Sequence, residues 1–408
     1  MPLRIMVWNI QNFGRATIKN NMSFGYIVDS IKEVNPAILV VIEGKSGNEP
    51  AGLPGLIVRR DSAVAVATIA LLEALRKFSS NWYVVPPRTH GSSGMREGIT
   101  VFFKSDLVHF CGPHRVDTIP GNNGQRSQSS AEFDPYAPAP HTDLYDPPWH
   151  DALPATPPRC PVGGLNQNQL AGKTNFNPQG GGFADILYFP YPQYRPPLLT
   201  SFCELALGRT IKVFALHLPP QNPEAELAVQ NVMMINEVIE PLSANEVRVI
   251  LGDFNINLWD GQQAPNPQPQ PSRMYLEERN IPQTGGAGTT FAMCNIFDPT
   301  ILKPTKHASP AGVPPYLDYI GLDQRCCPNA LDYIFAAFGT TARHIPTNGY
   351  VVDRVVGTPM REQDKLIKPA FSMVLGGELP EEILLFRAPH NYGKVRDASD
   401  HMAVYADL

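Results

Sequence analysis

Val247-Arg248-Val249-Ile250-Leu251-Gly252-Asp253-Phe254-Asn255 is a hydrophobic run that stops at a glycine and then offers a carboxylate and an amide. A buried strand that ends this way delivers Asp253 and Asn255 to its exposed end. Far downstream, Ala398-Ser399-Asp400-His401 repeats the device with an aspartate and a histidine. Two such strand ends in one chain suggest a metal-assisted hydrolytic site.

The amino-terminal half supplies the other oxygens. Ile5 to Ile10 reads as a buried strand closing on Trp8-Asn9-Ile10-Gln11-Asn12-Phe13-Gly14, and Ala37 to Ile42 as a second that closes on Glu43-Gly44. Thr100 to Phe103 is a strand leaving Glu97, and Ile211 to Leu216 runs into His217-Leu218-Pro219-Pro220. Ala330 to Ala336 carries Asp332 within Leu331-Asp332-Tyr333-Ile334. Glu97 precedes its strand, and each of the other polar residues follows or interrupts a strand-like segment.

In order, Trp8-Asn9-Ile10-Gln11-Asn12-Phe13-Gly14, Ile42-Glu43-Gly44, Arg96-Glu97-Gly98-Ile99, Leu216-His217, Gly252-Asp253-Phe254-Asn255, Leu331-Asp332-Tyr333-Ile334 and Ser399-Asp400-His401 resemble the successive signatures of the endonuclease/exonuclease/phosphatase superfamily, with its deoxyribonuclease-I-like fold. A lone Gly-Asp-x-Asn or Ser-Asp-His occurs often by chance, whereas the ordered set is specific. The resemblance spans Asn9 to His401 and leaves about 111–193 unmatched. It implies an α+β, four-layer sandwich: two packed mixed sheets flanked by helices, with the active site on loops at one edge. The order of strands and helices, lacking repeated βαβ units, favours the same class over a doubly wound sheet.

Composition agrees. The 408 residues fit one large domain with insertions, and 43% hydrophobic content is ample for its core. Around 111–197, Pro, Gly, Asn and Gln crowd together, as they do again near 260–272, marking loop-rich insertions rather than domains. A net charge of −5 gives no general attraction to nucleic acid, so a polyanion must be held by local cations. The six cysteines show no Cys-x-x-Cys spacing, which argues against structural zinc, and a chain this long needs no disulfide framework. Met1 leads straight into core sequence without a charged and apolar leader, and no apolar stretch is long enough to span a bilayer. The expected location is the cytoplasm, or outside the cell by a route without a cleaved signal.

Smaller elements are also legible. Ser23 to Asn35 reads as a helix capped by Ser23 and stopped by Pro36, and Ser62 to Ser79 as a second. Leu198 to Leu207 and Thr210 to Leu216 form a hairpin-like pair around Gly208-Arg209, and Pro223 to Glu240 is amphipathic and helical.

Phosphoester hydrolysis needs a hard cation, a base for water and an acid for the leaving oxygen. By the resemblance, Asn9, Glu43 and Asp400 hold Mg²⁺ or Mn²⁺, cations suited to carboxylate and amide oxygens. Asp253 and Asn255 orient and deprotonate water or stabilise the leaving group. His401, set by Asp332, contacts the scissile phosphate, and His217, paired with Glu97, acts as general acid. An Asx-turn explains Asp253 and Asn255 alone, but not the remaining motifs. Leu317-Asp318-Tyr319-Ile320 competes with the Asp332 copy, which is preferred because Phe335-Ala336-Ala337-Phe338 continues it as a core strand.

For the substrate, Lys45, Arg96 and Arg195, with Arg88 and Lys104, are candidates for a cationic groove. Gln11 stands where nonspecific deoxyribonucleases commonly carry Arg. The expected activity is a divalent-metal phosphodiesterase, a nuclease acting on DNA. A lipid or small-molecule phosphoesterase (sphingomyelinase-like or inositol-phosphate phosphatase) is the runner-up, and a silent binding module on the same fold the third reading.

Overall fold

A computed structural model describes residues 2–45, 62–91, 96–112, 118–120, 126–128, 174, 176, 189, 195–220, 222–255, 291–293, 332–339, 347–351, 399, 401 and 403–408. In chain order the elements are β1 (Arg4–Phe13), α1 (Arg15–Lys19), α2 (Asn21–Val34), β2 (Ile38–Lys45), α3 (Ala63–Arg76), β3 (Trp82–His90), β4 (Glu97–Lys104), β5 (Val108–Gly112), β6 (Thr118–Pro120) and β7 (Arg126–Gln128). They continue with β8 (Leu198–Glu204), β9 (Thr210–His217), α4 (Asn222–Val232), α5 (Asn236–Ile239), β10 (Glu246–Asp253), β11 (Ala292–Met293), β12 (Asp332–Phe338), β13 (Thr347–Val351) and β14 (Val404–Asp407).

Among the described residues two six-stranded mixed sheets result, in the orders β13-β14-β1-β2-β4-β3 and β11-β12-β10-β9-β8-β5. Each holds one parallel pair, β1 with β2 and β9 with β10, and each pair is joined through helices. Thus one βαβ crossover sits inside each sheet, a feature the sequence reading had not picked out. The sheets are otherwise antiparallel, and β6 with β7 makes a small separate ribbon at the start of the first insertion.

Three buried layers follow from side chains alternating across each strand. Ile5, Val7, Val40, Ile42 and Val101 of the first sheet meet Val213, Ala215, Val249, Leu251 and Ile334 of the second in the central core. Met6, Trp8, Leu39 and Val41 point outward onto α2 and α3 through Ile27, Ile31, Leu71 and Leu72. Phe214, Leu216, Ile250 and Phe335 pack outward against Ala228, Val229, Val232 and Val238 of α4 and α5. Fully burying one such aliphatic or aromatic side chain contributes about 1.5–3 kcal/mol, so the central layer alone fixes how the sheets face each other. This is the four-layer sandwich expected of the sequence.

Local departures have physical causes. The N-cap of α2 is Asn20, whose side chain accepts from the Ser23 N–H, so the cap falls three residues earlier than predicted. Asn35, in the left-handed region, ends it. The predicted helix over 62–79 is α3, with Ser62 as its N-cap, accepting from the Ala65 N–H. The predicted helix over 223–240 is broken into α4 and α5, with Ile235 extended between them as N-cap of the second. Phe176, from the first insertion, packs on Phe214 with ring centroids 6.2 Å apart. The second insertion, the Leu317–Ile320 motif and Asp400 lie outside the described residues. Among the described residues no helix is long and apolar enough to cross a membrane.

Candidate active site

The site is the polar end of the central core. Because strand side chains alternate, residues two apart share a face. Ile5 and Val7 face the other sheet, so Asn9 continues their row. Likewise Glu97 continues Ile99 and Val101, His217 continues Val213 and Ala215, Asp253 continues Val249 and Leu251, and Asp332 continues Ile334 and Ala336. In register, Asp253 lies between His217 on β9 and Asp332 on β12. Each of these strands swaps a core hydrophobe for a polar or ionisable side chain at the same edge.

Glu43 is the exception that confirms the geometry. After inward-facing Ile42 a regular strand would turn it outward with Val41. The pairing of β2 with β4 instead shifts register between Val41 and Gly44, and Glu43 takes φ 61°. Left-handed backbone costs a non-glycine residue on the order of 1–2 kcal/mol, and such strain clusters at functional positions. Gly44 follows because a Cβ there would overlap Val64 and approach the Gly98 carbonyl to 2.9 Å. β1 carries a similar irregularity between Asn9 and Phe13.

Two imidazole–carboxylate pairs bridge the sheets. His217 Nδ1 lies 2.7 and 2.8 Å from the two oxygens of Glu97. His401 Nδ1 lies 2.8 Å from Asp332 Oδ2. A carboxylate can only accept, so both Nδ1 atoms carry hydrogen, and both Nε2 atoms are turned toward Asp253 Oδ2, at 3.5 and 3.8 Å. His217 Nε2 is also 3.9 Å from Glu43 Oε1. Burial alone would disfavour the imidazolium of His217, but Glu97, with help from Asp253, prevails and raises its pKa above the usual histidine value. Burial likewise opposes ionisation of Glu97, yet His217 and Arg195 hold its pKa below the usual carboxylate range.

Asp253 is itself fixed. Asn9 Nδ2 donates to its Oδ2 at 3.0 Å, and the Asn255 N–H to its Oδ1 at 2.8 Å, with Asn255 at φ 50°. Asn255 Nδ2 in turn donates to the Leu218 carbonyl at 2.7 Å. The Asx-turn is therefore real, and it aims Asp253 between the two histidines.

A cation fits one corner of this arrangement. Asn9 Oδ1 is buried and has no hydrogen-bond partner among the described residues, a condition costing about 1–3 kcal/mol unless something takes the lone pairs. Asn9 pairs in register with Ile42, so Glu43 stands beside it on the next strand. An amide oxygen and a carboxylate suit a hard divalent ion. Two clusters of potential ligands converge here, Glu43 with Glu97 and His217, and Asp253 with Asp332 and His401. In both, the imidazole Nδ1 is committed to its carboxylate and Nε2 faces the centre; a hard divalent ion favours the carboxylate and amide oxygens over that nitrogen.

The candidate substrate groups separate. Lys45 is exposed at the site edge, opposite Glu97 in register, and Arg96 is half-buried just before Glu97. Lys104 does not join them: it ends β4, whose first residue is Glu97, and lies over the Trp82 ring. Strand rise alone puts the two backbones about 20 Å apart. Arg88 is wholly buried in β3 and cannot line a groove. Arg195 is turned inward, its Nε 3.4 Å from Glu97 Oε1.

Several contributors escaped sequence reasoning. Ser399 Oγ donates to the Asn9 carbonyl at 2.6 Å and accepts from the N–H groups of Gln11 and His401, stitching the carboxy-terminal motif to β1. Trp8 Nε1 holds the His401 carbonyl at 2.9 Å. His90, opposite Glu97 in register, is buried with neither ring nitrogen hydrogen-bonded among the described residues. Burial drives its pKa down to about 3, and Glu97 only partly offsets this. Ser399 and Trp8 lie inside quoted motifs, which is the one signal that could have flagged them; nothing local marks His90.

This architecture is the deoxyribonuclease-I-like sandwich, and a family described as the Endonuclease/Exonuclease/phosphatase family matches residues 6–401. The chain belongs to the endonuclease/exonuclease/phosphatase family, whose members are metal-dependent phosphoric ester hydrolases. No curated protein matches it. Among solved structures the chain is similar to D. rerio TDP2 complexed with single strand DNA product, at 12% identity and TM-score 0.42, covering 99% of this chain and 97% of that one. It is similar to a mannosyl-6-phosphatase of Bacteroides thetaiotaomicron at 11% identity and TM-score 0.41, covering 100% and 99%. A family protein of Beutenbergia cavernae is 16% identical with TM-score 0.42, covering 100% of this chain and 71% of that one.

Proposed function

We propose that this protein is a divalent-metal-dependent phosphodiesterase that cuts DNA. The observation carrying the proposal is the convergence of two imidazole–carboxylate pairs on Asp253 Oδ2, at 3.5 and 3.8 Å, beside the orphaned oxygen of Asn9. A diester expels a poor, strongly basic leaving group, so an acid must be ready at the departing oxygen. His217 is suited to this because Glu97, with Asp253, favours its protonated form against burial and Arg195, and Nε2 is the end left for the substrate.

Asp253, its two oxygens held by Asn9 and Asn255, orients the attacking water and draws its proton. His401, locked by Asp332, presents Nε2 to a nonbridging phosphoryl oxygen and stabilises charge that grows during attack. Asn9 Oδ1, Glu43 and Asp400 are the residues that would hold Mg²⁺ or Mn²⁺. When bound, that ion supplies charge neutralisation at the nonbridging oxygens. Lys45 and Arg96 flank the site for a substrate with neighbouring phosphates. No cluster of Lys or Arg suited to a multiply phosphorylated ring is evident in the sequence, which supports a polymer diester over inositol phosphates.

The test is hydrolysis of supercoiled plasmid, single-stranded RNA and phospholipid head-group substrates, with Mg²⁺, Mn²⁺ or chelator. Metal-dependent plasmid nicking is expected. Turnover of head groups alone would replace DNA by a lipid substrate, and inertness toward all three would leave a binding module.

A further inference from the structure

We infer that Arg195 is a positioning residue that locks the Glu97–His217 pair to the Asp253–Asn255 turn, and not a group that grips the substrate. It closes the long insertion, yet only 9% of its surface is exposed. Its Nε lies 3.4 Å from Glu97 Oε1, and its Nη1 donates to the Leu218 carbonyl at 3.2 Å. That carbonyl also accepts from Asn255 Nδ2 at 2.7 Å, while the Leu218 N–H donates to the Asp253 carbonyl at 2.9 Å. Leu218 is therefore a junction immediately after His217, and Arg195 ties it to the start of β4. The start of β4 and the exits of β9 and β10 are tied together through one guanidinium.

The chemistry favours arginine here. Glu97 is buried, and His217 alone would have to compensate its charge; a second cation at Oε1 lets the carboxylate stay ionised while it orients the imidazole. The planar guanidinium serves a carboxylate and a carbonyl at fixed angles, which a lysine ammonium cannot reproduce. Turning outward to a phosphate would surrender the junction and leave Glu97 with one partner. The inference rests on the proposed reaction only for what the His217 pair does.

Steady-state kinetics on a phosphodiester separate the two roles. With Arg195→Gln, kcat is expected to fall by roughly tenfold to hundredfold with KM nearly unchanged, because a positioning loss acts on the transition state. Arg195→Lys should recover part of kcat. In a double-mutant cycle with Glu97→Gln, the two losses should be far from multiplicative, since both act through one carboxylate. A raised KM with intact kcat, or independent losses, would overturn the inference. A second readout needs no turnover: the downfield proton resonance of the His217 Nδ1–H, assigned by its disappearance in His217→Gln. It should broaden or move in Arg195→Gln while circular dichroism shows a folded protein, and an unchanged resonance would refute the role. If the wild type cleaves no phosphodiester at all, the nuclease reading fails while this resonance still decides for or against Arg195.

Discussion

The two imidazole–carboxylate pairs are built in opposite senses across the sandwich. In one, the carboxylate (Glu97) comes from the first sheet and the histidine (His217) from the second. In the other, Asp332 comes from the second sheet and His401 precedes β14 of the first. Neither pair exists until the sheets pack, so the central core and the candidate chemistry are one construction. They also differ: Glu97 has Arg195 at its side and a buried His90 opposite it, whereas the Asp332–His401 pair is tied down by Ser399 and Trp8. One pair is set by charge, the other by hydrogen bonds to the backbone.

The largest effects should come from removing either imidazole. His217→Ala and His401→Ala are each expected to lower kcat by about 10²–10⁴, the range for a positioned acid or charge-stabilising group. The double variant should lose far less than the product, because the residues act on one transition state. Steady-state rates of all three variants measure this.

Next comes the strand that both pairs share. Gly252, at φ 142°, sits opposite Leu216 on β9 and Tyr333 on β12, and a Cβ there would overlap the Leu216 carbonyl. Gly252→Ala should destabilise the fold by at least about 3 kcal/mol, as strain and a steric clash combine. Denaturant unfolding would register it, and a neutral result would mean the β9–β10 spacing is not the constraint inferred here.

Neutralising the carboxylates sharpens the contrast. Glu97→Gln leaves Arg195 facing an amide, so it should cost stability as well as rate, whereas Asp332→Asn should chiefly cost rate by releasing the imidazole orientation. Paired melting and kinetic measurements on the two variants distinguish these outcomes, with rate losses of roughly tenfold to hundredfold expected for each.

The pH dependence of stability should separate the two buried histidines on the Glu97 side. His217 has a raised pKa, so its contribution is complete below the unfolded value and is lost as pH rises through the folded one. His90 is held neutral with a pKa of about 3, so the native state fails to take up a proton that the unfolded chain binds below about 6.5. From pH 7 to pH 5 this should cost about 2 kcal/mol, at 1.36 kcal/mol per unit. His90→Gln should remove that loss, read as a smaller drop in melting temperature between the two pH values. The smallest effect should be Lys45→Ala: exposed at the rim, it should weaken DNA binding modestly and reduce the salt slope by about one.

Much of the site was legible because alternation in a strand carries a core row to its end. A polar residue in that row, as in Val249-x-Leu251-x-Asp253 or Val213-x-Ala215-x-His217, must emerge beside the core edge. Glu43 breaks the parity, and only its bulge and left-handed backbone bring it in; sequence showed its position after a buried run but not the device. The preference for Asp332 rested on its continuing strand, and in the structure β12 carries it to His401. Arg195 reads from sequence as a groove residue, whereas its guanidinium faces Glu97 and the Leu218 carbonyl; an arginine's direction depends on acceptors from distant segments, which sequence does not display. The cross-sheet pairs Glu97–His217 and Asp332–His401 are implied only by the family resemblance, since partners separated by many residues leave no local pattern. Asn20 outcompeted Ser23 as helix cap because both residue types suit the role and only backbone geometry decides.

The most direct test is nicking of supercoiled plasmid by wild type, His217→Ala and His401→Ala in Mg²⁺ and in excess chelator. The account predicts nicking by wild type that stops with chelator and nearly vanishes in both variants. Nicking that persists in either variant, or that ignores the chelator, would contradict it.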